Sequence, residues 1–386
     1  MNVIKCRDCS RTMTMGTHRA FQTRGRWPIV LALVGVLFAG GFPRSSQARD
    51  TLPQYQPEEQ VSGVIRNYGN GYGGLLKRWE EGFRAYHPDI RFVDNLPTSD
   101  AAFPALITGV TDLAPNGSEP ALTETLGFFE VYGYHATPVT VASGSFNVEG
   151  RSPGIVVFVH EDNPLTQLSL AQLDGIFGAQ RNGGLRGFKW MLEDARGPER
   201  NIRTWGQLGL KGEWTDREIN TYGHAPSGAA RFFQYHILKN SDKWNPNYRG
   251  YVETGSKMIA DSDRVQQRGG VRFMLSEELA RDRYGIAWTI MPQAAGIKGI
   301  KALALGKSET GPFVYPSEES FRDRHYPLVR SIYIYLNRKP GTAVPARLRE
   351  FLRYILSAQG QAIVADASGF LPLPAALIAE QRAKLD

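Results

Sequence analysis

The sequence predicts an α/β fold in two lobes, each holding a mainly parallel sheet flanked by helices. Three observations carry that expectation. From residue 61 onward, short β-rich apolar runs alternate with segments whose apolar residues recur at helical spacing. Once an N-terminal leader is set aside, about 338 of the 386 residues remain, too many for one core of ordinary size. Two apolar runs, IVVFV (155–159) and SIYIYL (331–336), lie far apart, with Asn163–Pro164 after the first and Asn337 and Pro340 after the second. They read as strands around which the chain leaves one lobe and later returns.

The leader comes first. Arg19, Arg24 and Arg26 precede an uncharged apolar stretch over 27–42, and small residues follow at Ser46 and Ala48. This is the pattern of a secretory signal peptide over 1–48, cut after Ala48. A membrane anchor is the competing reading, but the apolar core over 28–42 is shorter than the roughly 20 residues a spanning helix needs. The leader holds seven Lys and Arg against one Asp, +6 of the chain's +7, so the remainder is near neutral at about +1. That balance gives no warrant for nucleic-acid binding. Cys6 and Cys9, a CxxC pair, also lie in the leader, and no other cysteine follows.

The elements then follow in order. Residues 49–60 are polar and Pro-bearing and read as a loose N-terminal arm. A strand over 61–66 meets a Gly-rich turn and a helix with Leu75, Leu76, Trp79, Phe83 and Tyr86 on one side. His87–Pro88–Asp89 ends it, and 90–93 is a second strand. A helix over 99–107 and a strand over 112–114 complete βαβαβ logic. The middle of the chain has helices over 170–177, 229–238 and 271–281, and a strand over 285–289. A last helix over 346–356, extended to about 365, carries Leu348, Phe351, Leu352 and Ile355 at helical spacing. The boundaries expected are 61–160 with 325–386 for lobe I and 161–324 for lobe II.

Three turns put Gly or Ser directly before a helix: NYGNGYGG (67–74), PTSDA (97–101) and HAPSGAAR (224–231). The first N–H groups of a helix lack internal partners and carry partial positive charge, so such ends hold anions. The plain alternative is capping, in which Ser99 or Ser227 bonds its own helix. Three such turns in one exported α/β chain point to a small oxyanion held between lobes. The first turn also satisfies GxGxxG through Gly69, Gly71 and Gly74, with Asp94 ending the next strand, which leaves a dinucleotide-binding oxidoreductase as an alternative. The strand before it lacks the continuous apolar run of a buried parallel strand. The histidines lack metal-ligand spacing, and neither GxSxG nor HExxH occurs, so a periplasmic hydrolase stays a minor reading.

A set of collinear motifs then carries a resemblance. YPLVRSIYIYLNRKPG (326–341), EFLRYILSAQGQAIV (350–364) and GFLPLP (369–374) stand near the end of the chain. LSLAQLDGIFGAQ (168–180), TWGQLGLKGEW (204–214), YGHAPSGAARFF (222–233), PALITGVTDLAP (104–115) and YGYHATPVTVA (132–142) lie upstream. In this order, over about 61–375, they resemble the phosphate-type periplasmic solute-binding proteins of ABC transporters. The resemblance implies a type II periplasmic-binding-protein fold, with two α/β lobes on a two-strand hinge. It implies a phosphate ligand in the interlobe cleft and an ABC permease in the inner membrane as partner. It also implies a periplasmic, monomeric protein that carries no cofactor or metal and is not an enzyme.

The resemblance implies a ligand set. The family's early Ser-Asp-Thr turn corresponds to Gly69, Asn70 and Gly71, with Tyr72 next to it, a family serine to Ser99 beside Thr98, and a Ser-Arg after the third strand to Ser118-Glu119. The family's Arg followed by Ser-Gly-Thr falls on His224, Ser227, Gly228 and Ala229, so an Arg and a Thr hydroxyl are missing. Arg231, one turn further on, is the expected compensation. Two charge-assisted donors are thus absent, and Glu119 replaces one of them with an acid. A Glu119 that lines the cleft favours a ligand with a donor, such as protonated phosphate, or a different small solute. A Glu119 turned to solvent leaves plain phosphate.

Overall fold

The computed structural model describes residues 52–186, 189–253, 270–366 and 368–386; the leader and its CxxC pair lie outside them. In the first lobe, β1 (Gly63–Tyr68) and β2 (Ile90–Asn95) pair in parallel around α1 (Leu75–Arg84). Leu75, Leu76, Trp79 and Phe83 form the buried stripe of α1, at the spacing the sequence predicts. A 3-10 turn at Ser99–Ala101 leads into α2 (Ala102–Ile107), then β3 (Ala114–Asn116), α3 (Leu122–Tyr132) and β4 (Thr137–Ser143).

The second lobe opens on β5 (Ile155–His160), followed by β6 (Gln167–Ser169), α4 (Leu170–Phe177) and the pair β7 (Gly184–Arg186) and β8 (Lys189–Met191). Next come β9 (Asn220–His224), α5 (Gly228–His236), β10 (Arg249–Tyr251), α6 (Gly270–Phe273), β11 (Gly285–Ile290), α7 (Met291–Ala294) and β12 (Ile300–Ala302). Its main sheet has the order β10-β9-β11-β5-β12. β13 (Ala304–Gly306), β14 (Phe313–Val314) and α8 (Glu318–Arg322) complete it. The chain then returns through β15 (Ser331–Leu336), which lies between β3 and β4 in the first lobe, and ends on α9 (Ala346–Ile355), α10 (Ala358–Ala365) and α11 (Ala375–Ala383).

The apolar interior is divided as the two-lobed expectation requires. One cluster gathers Ile155 through Val329 together with Leu371. Two others hold side chains from Tyr55 to Ala142 and from Ile332 to Leu385. Two crossing segments join the lobes side by side. Gly144 N–H donates to the Arg330 carbonyl at 2.9 Å, and Ile155 N–H to the Leu328 carbonyl at 3.1 Å. A Cβ on Gly144 would stand 1.9 Å from the Ser152 carbonyl oxygen, so only glycine lets the chain fold back this closely.

Several expectations change. The sheets are mixed, not mainly parallel. β9 runs parallel to β10 and β11, but β5 runs antiparallel to β11 and β12, and β15 antiparallel to β3 and β4. The crossing strands enter each sheet against its grain. β5, expected in lobe I, is central to the second sheet, and Tyr326, Leu328 and Val329 pack with it, so the division falls near 144–154 and 328–331. The arm is not loose over the described 52–60. The Tyr55 ring is buried, and its hydroxyl donates to Glu350 Oε2 at 2.8 Å and lies 2.6 Å from His87 Nε2. The helix expected over 346–365 is two, because Ser357 caps α10 by accepting from Gly360 N–H at 3.2 Å. No helix among the described residues is long and apolar enough to cross a membrane.

Candidate functional site in the interlobe cleft

The first-lobe wall is built around Ser99. Its Oγ accepts two hydrogen bonds of 3.1 Å, from Asn70 Nδ2 and from Gly117 N–H. With both acceptor positions taken, the hydroxyl hydrogen is left to donate outward. Ser152, on the crossing segment with a left-handed φ of 47°, donates to the Gly117 carbonyl at 2.6 Å. A Cβ on Gly117 would meet Ser152 Oγ, Asn70 Nδ2 and Ser99 Oγ within 3.4 Å, so these polar groups converge on one glycine. Ser118, the next residue, is buried and donates its N–H to Asn116 Oδ1 at 3.2 Å.

The second-lobe wall is the start of α5. Ser227 accepts from Ala230 N–H at 3.2 Å, an ordinary N-cap that leaves its hydroxyl hydrogen available. The N–H groups of Gly228 and Ala229 open the helix, where the dipole favours negative charge. Asp100 of the first lobe and Arg231 of the second stand 3.6 Å apart across the rim. Their side chains are 71% and 36% exposed, so the pair contributes little net stability.

The floor is more charged than the walls. Glu119 accepts from the Tyr333 hydroxyl at 3.0 Å and lies 3.7 Å from His236 Nε2, a charge contact too long for a hydrogen bond. Burial pushes its carboxyl up, but His236 and the charge of Arg330 outweigh burial and hold it below the usual carboxylate range. Its Oε2 is buried and lacks a hydrogen-bond partner. Arg330, on the returning crossing segment, is only 7% exposed. Its Nε also lacks a partner, and its guanidinium lies over the Phe232 ring, 5.7 Å from the centroid. A Cβ on Gly228 would stand 3.6 Å from Arg330 Nη2, which sets the guanidinium against the start of α5.

Not every expected ligand residue reaches the cleft. Tyr72 turns into the first-lobe core, beside Trp79 and Phe370. Its hydroxyl donates to the Tyr333 carbonyl and its N–H to Asn70 Oδ1, so neither group is available to a ligand. His224 is buried, stacked on Trp288 with ring centroids 4.9 Å apart, and its Nε2 lies 2.9 Å from Thr289 Oγ1. Burial, with the Arg330 charge adding to it, pulls its pKa down to about 3, so the ring is neutral and cannot replace an arginine. Thr98 is exposed and does not cap the turn it precedes. The Ala229 side chain is buried, so only its backbone could face an anion.

The GxGxxG turn is spent internally. Gly69 N–H bonds the Asn95 carbonyl at 3.0 Å, Asn70 N–H the Pro115 carbonyl at 2.8 Å, and Gly74 N–H the Gly71 carbonyl at 3.0 Å. A Cβ on Gly69 would sit 2.1 Å from the Pro115 oxygen. The glycine serves close packing on β3, and the amides a pyrophosphate would need are occupied.

With this geometry in hand, comparison with known proteins narrows the reading. No family model matches the chain. The phosphate-binding protein PstS of Pseudomonas aeruginosa is 29% identical over 326 residues, 84% of this chain and 87% of that protein. The chain is a relative of the bacterial phosphate-binding proteins. PstS of Staphylococcus saprophyticus is 22% identical, covering 84% of this chain and 85% of its own. Among solved structures, PstS of Borrelia burgdorferi aligns over 82% of this chain and 100% of its own, at 14% identity and a TM-score of 0.48.

Two residues that the sequence did not single out, Ser152 and Arg330, stand beside Gly117 and Gly228. Ser152 carries no signal beyond a Gly-Arg-Ser-Pro turn. Arg330 does. It is a single charge placed directly before a near-continuous apolar strand, where a solvated arginine is out of character.

Proposed function

We propose that this chain is an extracytoplasmic solute-binding protein that captures inorganic phosphate, or a closely related small oxyanion, between two lobes. The hand-off would be to the membrane permease of an ABC importer, and the protein would act as a monomeric carrier and not a catalyst. The leader over 1–48 supports export to the periplasm. What supports the reading is that the two helix-start turns meet: Asp100, next to Ser99, and Arg231, four residues past Ser227, stand 3.6 Å apart, with a serine hydroxyl at each turn and the opening amides of α5 beside it. The expected ligand set narrows accordingly to Asn70, Ser99 and Ser118 with Ser227, Gly228 and the Ala229 amide. Gly71 and Thr98 border it, and Arg231 stands at the rim.

Glu119 refines the ligand class. Its buried carboxylate has one oxygen unpartnered, so at the floor of the cleft it would repel a fully ionised oxyanion and accept a hydrogen bond from one that keeps a proton. Hydrogen phosphate keeps a proton at neutral pH, and sulfate does not. The same carboxylate favours a second reading, a different small solute that offers a donor to Glu119.

The test is a thermal-shift panel on protein stripped of phosphate by unfolding and refolding. A ligand at 100 times its dissociation constant stabilises the fold by roughly 2.7 kcal/mol. Phosphate is expected to raise the melting temperature and sulfate to leave it unchanged. No response to millimolar phosphate, beside a clear response to another solute, would sink the phosphate assignment.

A further inference from the structure

We infer that Arg330 is the cationic anchor of the bound anion, so that ligand charge is read by the hinge itself and not by the loop before α5. This rests on the cleft being an oxyanion site. The loop residue His224 is stacked on Trp288 and bonded to Thr289, Arg231 is exposed at the rim, and Arg324 donates to Ser143 and Ser331, which among the described residues leaves Arg330 as the buried cation against the opening of α5.

The electrostatics of Arg330 call for a partner. A buried guanidinium without hydrogen-bonded compensation is strongly unfavourable. Among the described residues its Nε bonds nothing, and it forms no ion pair with any carboxylate. Burial pulls its pKa down, while Glu119 and Glu253 pull it back up from beyond ion-pairing distance. Burial in turn raises the Glu253 carboxyl, which weakens that counter-charge. The protein therefore balances the charge of Arg330 from afar and leaves its donor fork free, and that fork matches two oxygens of one phosphate.

Position gives the anchor a second consequence. The Arg330 carbonyl accepts from Gly144 N–H at 2.9 Å, and that bond ties the two crossing segments together. A ligand held by the Arg330 side chain thus sits one side chain's length from the hinge pairing. Capture by the first-lobe wall and by α5 then closes the lobes about the anion, not onto it from one side.

The experiment titrates inorganic phosphate by calorimetry into the phosphate-stripped wild-type protein, R330Q, R330K and R231Q. R330Q is expected to bind roughly 10- to 100-fold more weakly, the loss of a charge-assisted contact. R330K keeps the charge without the fork and should fall between R330Q and the wild type. R231Q should stay within about threefold of the wild type. Melting temperatures without phosphate separate anchoring from a structural role. The inference predicts that R330K stays close to wild-type stability while its phosphate affinity drops.

R330Q binding as the wild type does would overturn the inference, as would R231Q losing as much as R330Q. Should R330Q not fold, R330K decides alone: wild-type affinity in R330K overturns the inference, and a loss of about fivefold or more supports it. A wild-type protein that takes up no phosphate fails the oxyanion reading itself, an outcome seen before any variant is compared.

Discussion

The Tyr333 hydroxyl donates a 3.0 Å hydrogen bond to the Glu119 carboxylate, joining the strand that returns through the hinge to the loop after β3. Burial, with Glu119 beside it, pushes the tyrosine pKa far up, so Tyr333 remains a donor at every working pH. Glu119 shifts the other way. Burial opposes ionisation, but His236 and Arg330 prevail and its pKa lies below 4.5. Its ionised form therefore stabilises the fold above about pH 4.5, and that contribution fades as pH falls through the depressed value.

Glu119→Gln should accordingly be less stable than wild type by about 1–3 kcal/mol near neutrality, because Arg330 loses its counter-charge. The gap should close as the pH falls below 4.5 and through the depressed pKa, as wild-type Glu119 becomes protonated. Urea unfolding of both proteins between about pH 3.5 and 7.5 measures it. A gap that stays constant however far the pH is lowered while both proteins remain folded would show that charge is not what Glu119 contributes.

Ser99 makes a separate prediction for the first-lobe wall. Ser99→Ala leaves Asn70 Nδ2 and Gly117 N–H without the oxygen they share. Leaving such donors unsatisfied costs about 1–3 kcal/mol of stability. Loss of the outward hydroxyl should weaken phosphate binding about tenfold besides. Calorimetry reads the affinity and thermal unfolding the stability. Unchanged affinity in a folded S99A protein would remove Ser99 from the ligand set.

How much of this was legible in the sequence differs element by element. The stripe Leu75, Leu76, Trp79 and Phe83 was legible because a helix of any fold must bury such a face. The two hinge-side strands were legible because IVVFV and SIYIYL are too apolar for edges. Their direction was not, since a strand's hydrophobic pattern is the same whichever way its neighbour runs. The positions of Ser99 and Ser227 at helix starts were legible because Ser before an apolar helical run is a start signal. Tyr72 was misjudged because a tyrosine set among glycines looks exposed, and only the packing of Trp79 and Phe370 turns it inward. Arg330 was missed because its burial depends on Gly144 and Phe232, which are remote in sequence and adjacent only after both crossings are made.

The N-terminal segment gives a third prediction. Tyr55 reaches from the chain start to His87 at 2.6 Å and Glu350 at 2.8 Å, both buried. Tyr55→Phe keeps the ring's packing against Tyr86 and Tyr354 but strands the partners of its hydroxyl. The expected cost is about 1–3 kcal/mol, as for leaving a buried hydrogen-bond partner unsatisfied. Phosphate affinity should not change, since the site lies elsewhere in the lobe. A Y55F protein with wild-type stability would mean that the arm contributes nothing through this bond.

Glu80 carries the opposite pH signature from Glu119. It is buried on α1, where it accepts from Asn67 Nδ2 at 2.9 Å. Burial, reinforced by Asp94 and opposed by Lys77, raises its pKa from 4.5 to about 7. An acid with a raised folded-state pKa stabilises most when protonated, so its contribution is lost as pH climbs from about 4.5 through about 7. Glu80→Gln retains the acceptor for Asn67 and removes the titration. The variant should match wild type near pH 5 and exceed it by up to ~3 kcal/mol at pH 8. Urea unfolding at the two pH values decides. If E80Q is instead destabilised at pH 8, the ionised carboxylate is worth more to Lys77 and Asn67 than its burial costs.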